Sequence, residues 1–211
     1  MTFISIIKRP YVVIREHSFA LVLMSVIILM ATIYPSNMAR DYSESRGGHD
    51  RASIVAFENY GRHVNTALPF ITALALRDWV GLKQLAVITV VGVLASHGPK
   101  RLLNDVEIMG TRLGQRPHST DSRHNMPSGH STLASACGYF MVRRYSIWFG
   151  IIVIPVLLFT MYVRFMLDMH TISATIAGAG TGILVSAIFA TTLPNFNMRL
   201  WQFLRLPISH K

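Results

Sequence analysis

The sequence of 211 residues has almost no cysteine and little charge. Cys137 is the only cysteine, which excludes a disulfide within the chain, and we interpret it as a small residue at a helix contact. Charged residues make up 14% of the chain, well below the roughly 25% that is usual for soluble domains. Hydrophobic residues make up 51%. This composition argues against an ordinary soluble domain and favours an integral membrane protein.

Acidic residues are also scarce, because 10 Asp and Glu stand against 20 Lys and Arg, for a net charge of +10. No basic repeat, finger spacing or base-stacking motif accompanies this charge, so we predict no nucleic-acid partner. A His-Glu-x-x-His motif and paired cysteines are absent as well, and we therefore predict no metal and no cofactor. The positive charge fits either anionic lipid headgroups or a group of cations around an anionic substrate.

Six apolar stretches lie at roughly residues 19–34, 64–76, 82–96, 131–142, 147–163 and 171–193. A membrane-spanning helix needs about 20 mostly apolar residues, and flanking residues can lengthen the shorter stretches. We therefore predict an all-α integral membrane protein, with six helices in one bundle and a single domain over residues 1–211. The first stretch is a poor match to a cleaved signal peptide, so we expect it to be retained as a span.

Six spans place both ends of the chain on the same side of the membrane, with 10 Lys and Arg on each side. The positive-inside rule alone therefore does not set the orientation. Six of the cations opposite the termini lie in segments that we interpret below as anion-binding: Lys100, Arg101, Arg112, Arg116, Arg123 and Arg164. Without these six, the termini are predicted to be cytoplasmic. Arg143, Arg144 and the C-terminal cations are interpreted as snorkelling anchors.

The loop at residues 35–63 is predicted to lie outside the membrane, on the side opposite the termini. It begins polar and then becomes amphipathic, with Ile54 and Phe57 between charged residues such as Glu58 and Arg62. Two interpretations fit equally well. The segment either lies along the membrane surface near a lipid, or is an ordinary connecting helix packed on the bundle.

Three segments carry residues suited to phosphate chemistry, and the predicted topology brings them to the same end of the bundle. They are Lys100 to Pro117, Asn125 to Ser131 (NMPSGHS) and Arg164 to His170 (RFMLDMH). Arginine forks match phosphate oxygens in bidentate fashion, and lysine supplies a point charge. A helix start offers free N–H groups to an anion. Histidine, whose pKa lies near neutrality, serves as a nucleophile or a general acid.

These motifs resemble the type 2 phosphatidic acid phosphatase (PAP2) superfamily, which carries a Lys before Arg-Pro, then Pro-Ser-Gly-His, then an Arg six residues before a His. Arg116-Pro117, Pro127 to His130 and Arg164 to His170 match this pattern. The resemblance implies a catalytic core at about residues 97–185, His170 as nucleophile and His130 as acid for the leaving group. It also implies these phosphate-binding residues: Lys100, Arg116, Ser128, Gly129 and Arg164.

The sequence departs from the family pattern at two places. Lys100 stands 16 residues before Arg116, whereas seven is usual, so either the loop carries an insertion or Arg112 or Arg101 takes over the contact. The Asp expected four residues after the nucleophile is Ala174. Three groups remain as candidates to orient the His170 imidazole: Asp168, Asp105 and a backbone carbonyl. Asp168 is equally well interpreted as a salt-bridge partner of Arg164.

The long loop before Arg116-Pro117 and the runs MPSGHS and LDMHTI also resemble the bacterial lipid A 1-phosphatase group of this superfamily. That resemblance implies a metal-independent lipid phosphatase in the bacterial inner membrane. Its active site would face the periplasm, and its reaction would pass through a phosphohistidine. Hydrolysis of undecaprenyl diphosphate or phosphatidylglycerol phosphate, transfer of phosphate between lipids and a non-catalytic role are the alternatives. His97, His118 and His124 are interpreted as structural.

Overall fold

The computed structural model describes residues 2–16, 18–117, 119, 121–197 and 200. Apart from a short hairpin, its regular structure is helical. The helices are α1 (Phe3–Ile7), α2 (Arg9–Glu16), α3 (Ser18–Ile33), α4 (Met38–Asp41), α5 (Ala52–Asn59), α6 (Val64–Ala75), α7 (Trp79–Leu102), α8 (Gly129–Arg144), α9 (Gly150–Met166) and α10 (Ile172–Phe189). Strands β1 (Glu107–Ile108) and β2 (Thr111–Arg112) form the hairpin. The prediction of a mainly helical protein is therefore confirmed.

Each predicted apolar stretch contains a helix, but the helices differ in length and hydropathy. In the described part of the chain, three are long and apolar enough to cross a membrane: α7, α9 with its preceding turn, and α10. A fourth is added when the bent pair formed by the N-terminal helices and α3 is taken as one span. Helix α6 has only 12 residues and α8 only 16. The count of six spans stays a prediction.

Helix α8 lies at the centre of the bundle, where it contacts α6, α7, α9 and α10. Its buried face is rich in small and polar residues such as Thr132 and Ser135, which are at most 1% exposed. The Thr132 hydroxyl donates to the Ser128 carbonyl at 2.9 Å, and the Ser135 hydroxyl donates to the Thr132 carbonyl at 3.0 Å. Because protein rather than lipid surrounds this helix, its residues do not need to be apolar.

Helices α8 and α10 approach each other closely at two glycines of α10. A Cβ at Gly178 would lie 2.3 Å from the Ser128 carbonyl oxygen, and one at Gly182 would lie 2.0 Å from that of Thr132. Only glycine leaves room for these backbone contacts. The small-xxx-small spacing of these two glycines in the sequence predicts such a close helix contact, and the structure confirms it. The same contact brings the start of α10 against the start of α8.

The segment at residues 35–63 packs on α9. Ile54 is buried in a cluster with Val163, Met166 and Leu167. A Cβ on Gly48 would lie 2.3 Å from the Met166 carbonyl oxygen, so the turn before α5 touches the end of α9. The apolar face of α5 is therefore directed at the bundle, and its one charged residue, Glu58, contacts Arg164 in the last turn of α9.

At the other end of α8, Arg144 does not snorkel toward water. It is 3% exposed, and its Nε and Nη2 atoms donate to the two oxygens of Asp78 at 2.5 Å each. The Tyr145 hydroxyl also donates to this carboxylate, at 3.1 Å. Burial alone would raise the pKa of Asp78, but the hydrogen bonds and charge of Arg144 hold that pKa below its ordinary value. The interpretation of Arg144 as a snorkelling anchor is wrong.

Candidate active site

The three predicted segments meet at the end of the bundle where α7 and α9 stop and α8 and α10 begin. The Ser128 N–H donates to the Ala174 carbonyl at 2.9 Å, which joins the starts of α8 and α10. The Lys100 ammonium, in the last turn of α7, lies 3.8 Å from the position of a Cβ on Gly129. Arg164 occupies the last turn of α9, and His170 lies in the turn that follows it.

The segment between Lys100 and Arg116 contains the β1–β2 hairpin. Met109 and Gly110 at its tip both have positive φ, as a two-residue hairpin turn requires. Arg112, in β2, donates to the carbonyls of Asn104 at 3.4 Å and Ser122 at 2.9 Å. The described contacts of Arg112 therefore hold the loop together, and Arg101 is exposed.

His170 is 1% exposed, and its Nδ1 lies 2.8 Å from the backbone carbonyl oxygen of Asn125. A carbonyl oxygen can only accept, so the proton of the neutral imidazole is on Nδ1 and the lone pair is on Nε2. The backbone carbonyl is thus the group that contacts this imidazole where the family Asp is replaced by Ala174. It was one of three candidates in the sequence.

The Asn125 side chain holds the same turn and was not singled out in the sequence. Its Nδ2 donates to the Thr171 hydroxyl at 3.2 Å, and its Oδ1 accepts from the Thr171 N–H at 3.1 Å. Asn125 therefore fixes the residue after His170 with its amide and His170 itself with its carbonyl. Its position three residues before Ser128 was the only signal in the sequence.

The surroundings of His170 favour the neutral ring. Burial, followed by the positive charges of Lys100, Arg164 and Arg116, lowers the pKa of His170 well below its usual 6.5, and the Asn125 hydrogen bond opposes this shift. Lys100, Arg164 and Arg116 thus act electrostatically on this imidazole. The sequence prediction had placed them around one phosphate.

Asp168 contacts the segment at residues 35–63 instead of His170 or Arg164, the two partners proposed from the sequence. Its carboxylate accepts from the Ser45 hydroxyl at 2.8 Å and pairs with the Arg46 guanidinium at 2.6 Å. Burial alone would raise the pKa of Asp168, but these hydrogen bonds lower it. In the described residues, Asp168 neither orients His170 nor pairs with Arg164. The third candidate, Asp105, is exposed and lies 3.7 Å from Arg123.

Two residues of the segment at residues 35–63 contact predicted site residues, although the sequence analysis did not assign them to the site. The Glu58 Oε1 atom accepts from Arg164 Nη1 at 2.5 Å and also from Arg62 Nη1. The same Arg62 Nη1 lies 3.3 Å from Nε2 of His130. Because arginine only donates, Nε2 of His130 is the acceptor in this contact. The amphipathic pattern indicated a helix, but gave no sign that its charged face reaches the site.

Several buried polar atoms of this cluster have no hydrogen-bond partner. They are Nε of Arg116, Nε of Arg164 and Oε2 of Glu58. A buried donor without a partner costs about 1–3 kcal/mol. The oxygens of a phosphate monoester are acceptors, so they would match the two guanidinium donors. With Lys100 nearby, the local positive charge also suits a dianion.

The start of α8 has both engaged and free groups. The Ser128 N–H is taken by Ala174, contrary to the expectation that it would be free for an anion. The Ser128 Oγ caps the helix by accepting from the Ser131 N–H at 3.5 Å. The N–H groups of Gly129 and His130 begin the helix, where no intrahelical acceptor exists. The N–H groups that this motif leaves free for a ligand therefore start at Gly129.

The remaining histidines make local contacts. Nδ1 of His97 lies 3.1 Å from the Ser96 hydroxyl, and Nδ1 of His124 lies 3.3 Å from the Asn104 amide nitrogen. His118 lies outside the described residues, as do the predicted C-terminal anchors. Over the described residues, no group of three or more His, Cys, Asp or Glu side chains is arranged to hold a metal ion.

Comparisons with known proteins give the family. The model of the PAP2 superfamily matches residues 81–198, which include the three motifs. The lipid A 1-phosphatase of Helicobacter pylori strain J99 is 41% identical over 140 residues, which cover 66% of this chain and 72% of that protein. The protein of the same name from strain 26695 is 40% identical over 134 residues, or 64% and 70% of the two chains. No solved structure matches significantly. The chain belongs to the PAP2 superfamily.

Proposed function

We propose that this PAP2 enzyme is a membrane lipid phosphatase that hydrolyses the 1-phosphate of lipid A through a phosphohistidine at His170. The family and the two Helicobacter relatives support a lipid phosphatase. The observation that carries the mechanism is the 2.8 Å contact between Nδ1 of His170 and the Asn125 carbonyl. It leaves Nε2 as the nucleophilic atom of a neutral imidazole.

In the first step, Nε2 of His170 attacks phosphorus and the bond from phosphorus to the lipid oxygen breaks. His130, protonated on Nε2, gives its proton to the departing oxygen, so the lipid leaves as a neutral alcohol. Arg62 now contacts the Nε2 atom that must carry this proton. Arg62 therefore moves off His130 before the transfer, and the oxygens of the substrate phosphate are the acceptors to which it turns.

In the second step, water attacks the phosphorus of phosphohistidine while His130 takes up a proton from it. The bond between phosphorus and nitrogen breaks, the imidazole of His170 is restored, and inorganic phosphate is released. Lys100, Arg116 and Arg164 offset the charge that spreads over the equatorial oxygens in both transition states. The N–H of Gly129 and the hydroxyl of Ser128 complete the proposed phosphate site.

The proposed location is the bacterial inner membrane, with this end of the bundle facing the periplasm. The distribution of cations outside the site supports this orientation, because the other end carries Lys8, Arg9 and Arg77. Labelling of single cysteines at exposed positions on either end, in intact and permeabilised cells, tests it. A Cys at residue 107 should react in intact cells, and one at residue 77 only after permeabilisation.

The function is tested by mass spectrometry of lipid A from cells that express the chain or its His170→Ala variant. We expect loss of one phosphate, at the 1-position, with the wild type only. Unchanged bis-phosphorylated lipid A would overturn the proposed substrate. Because the phosphorus–nitrogen bond of phosphohistidine is labile to acid, the enzyme is given labelled substrate and quenched in alkaline detergent. It should then carry label at residue 170, and label that persists in His170→Ala would overturn the assignment of the nucleophile.

A further inference from the structure

A cavity of about 260 Å³ lies beside His130, between α6, α7 and α8. We propose that this cavity binds an acyl chain of the lipid substrate, next to the oxygen that leaves. The inference rests on the proposed function, since it concerns the part of the substrate that the phosphate reaction does not touch. It adds a binding site outside the cluster of cations.

The position of the leaving group is the reason for assigning the lipid chain to this cavity. His130 is proposed to protonate the lipid oxygen, so the body of the lipid must extend from the side of the phosphate that His130 faces. His130 itself lines the cavity, together with Arg62 and His63. A second cavity, of about 500 Å³, is lined by residues such as Tyr34, Phe165 and Ile176, and by neither proposed catalytic histidine. Its size alone therefore does not make it the lipid site.

The walls change from charged to apolar with depth. Arg62 and His63 stand at the start of α6, while Phe70 is seven residues further along this helix. Cys137 is likewise seven residues beyond His130 on α8, which at 1.5 Å per residue is about 10 Å into the bundle. A cationic opening with an apolar end matches a lipid whose anionic headgroup stays at the surface while its chain enters the bundle.

Thr89 indicates which kind of lipid chain the cavity would bind. Its hydroxyl is buried, has no hydrogen-bond partner and belongs to a residue that lines the cavity. The carbonyl of an ester- or amide-linked acyl chain would accept from it, whereas an isoprenoid chain has no acceptor to offer. The volume is below the roughly 300–1,000 Å³ of sites that enclose drug-sized ligands, so the cavity holds part of one chain.

The experiment measures phosphate release from alkyl phosphates of increasing length, butyl to dodecyl, by the full-length enzyme in one detergent. Within each variant, kcat/KM is divided by its value for butyl phosphate, which removes partition into micelles from the comparison between variants. In the wild type this ratio should rise with length, by up to about fourfold for each methylene that becomes buried. Thr89→Trp fills the cavity and should flatten the rise. Ile176→Trp, in the larger cavity, is the matched control and should keep it.

A length dependence that is unchanged in Thr89→Trp, or that Ile176→Trp abolishes instead, overturns the inference. If the Thr89→Trp variant does not fold, Thr89→Leu replaces it. In this variant the kcat/KM ratio should stop rising at a shorter alkyl chain than in the wild type. Thr89→Val should lower kcat/KM about threefold to tenfold for an acylated phospholipid relative to dodecyl phosphate, because it removes the hydroxyl alone. Equal values for both would overturn the acyl assignment. Failure of the wild type to release phosphate from lipid A as well as from these substrates would instead reject the proposed function.

Discussion

Two buried arginines lie at opposite ends of the bundle, and they are paired very differently. All three nitrogens of the Arg144 guanidinium are engaged, by the two oxygens of Asp78 and by the carbonyl and hydroxyl oxygens of Thr191. Arg164 is also buried, at 6% exposed, yet among the described residues only its bond to Glu58 is formed and its Nε has no partner. The first cluster is complete without a ligand, and the second is not.

This difference separates structural charge from functional charge. A buried ion pair with every donor satisfied fixes one arrangement of the helices and leaves nothing for a substrate to bind. A cluster with unpaired donors lowers the stability of the folded protein, and such clusters persist where they serve a function. Both arginines stand in the last turn of a helix of the bundle. Their sequence context is therefore similar, and only their partners distinguish them.

The largest expected effect on stability is at the complete cluster. Asp78→Ala leaves the Arg144 charge buried without its partner, which should destabilise the protein by about 3–5 kcal/mol. Thermal unfolding of the detergent-solubilised protein measures this loss, and Asp78→Asn, which keeps the shape of the side chain, should lose less. The kcat/KM of the folded fraction should stay near that of the wild type. A large fall in kcat/KM without loss of stability would break the distinction between the two ends.

The reverse pattern is expected at Arg164. Arg164→Ala removes a donor proposed to act on the phosphoryl oxygens, so kcat/KM should fall by about 10²–10³, as for loss of one oxyanion donor. Its unfolding temperature should change little, because the cluster loses an unpaired donor along with one ion pair. Arg164→Lys keeps the charge but not the planar fork, and should recover part of the activity. An Arg164→Ala variant that is much less stable than the wild type, but whose folded fraction keeps the full kcat/KM, would contradict this expectation.

Inorganic phosphate should stabilise the enzyme by satisfying the unpaired donors of the site. At 100 times the dissociation constant, a ligand that binds only the folded state adds about 2.7 kcal/mol. The unfolding temperature of the wild type should therefore rise with phosphate at constant ionic strength. Sulfate-free chloride is the control salt. Asp78→Asn should keep this response and Arg164→Ala should lose most of it, whereas equal responses would refute the assignment of the phosphate site.

Much of the fold could be predicted, because runs of apolar residues in the sequence mark the helices whose surfaces face lipid. Such runs reveal less about α8, whose Thr132 and Ser135 face other helices. The prediction of a packing role for Gly178 and Gly182 succeeded because small residues at this spacing have one common use in membrane helices. The pairing of Arg144 with Asp78 was missed, since 66 residues separate them and neither belongs to a motif.

The site could be predicted in part, for a similar reason. His130, His170 and the cations stand in spaced motifs, and the structure brings them together. Glu58 stands in α5 and Arg62 in the turn that follows it, and their contacts depend on how α5 packs against α9. Which group orients His170 was also undecidable, because every residue has a carbonyl and sequence does not show which one faces an imidazole.

The smallest expected effect concerns pH, and it follows from the incomplete cluster. Burial and then the charges of Lys100, Arg164 and Arg116 lower the pKa of His170, so the ring stays neutral well below pH 6.5. The acidic limb of kcat/KM should therefore lie below that pH. Stability should also fall as the pH drops below 6.5, since the unfolded chain then binds a proton that the folded His170 does not.

Lys100→Gln tests the cause of this shift with little change of shape. Loss of a nearby positive charge raises the pKa of His170, so the acidic limb of kcat/KM should move to higher pH even though the overall rate falls. The substrate phosphate titrates near pH 6 as well, but it does so identically for both enzymes and is removed by taking the ratio of the two profiles. Lys83→Gln, at the far end of α7, is the matched control and should leave the limb in place. A limb that stays put in Lys100→Gln would mean that burial alone keeps the imidazole neutral, and that the lysine serves the phosphate without acting on the nucleophile.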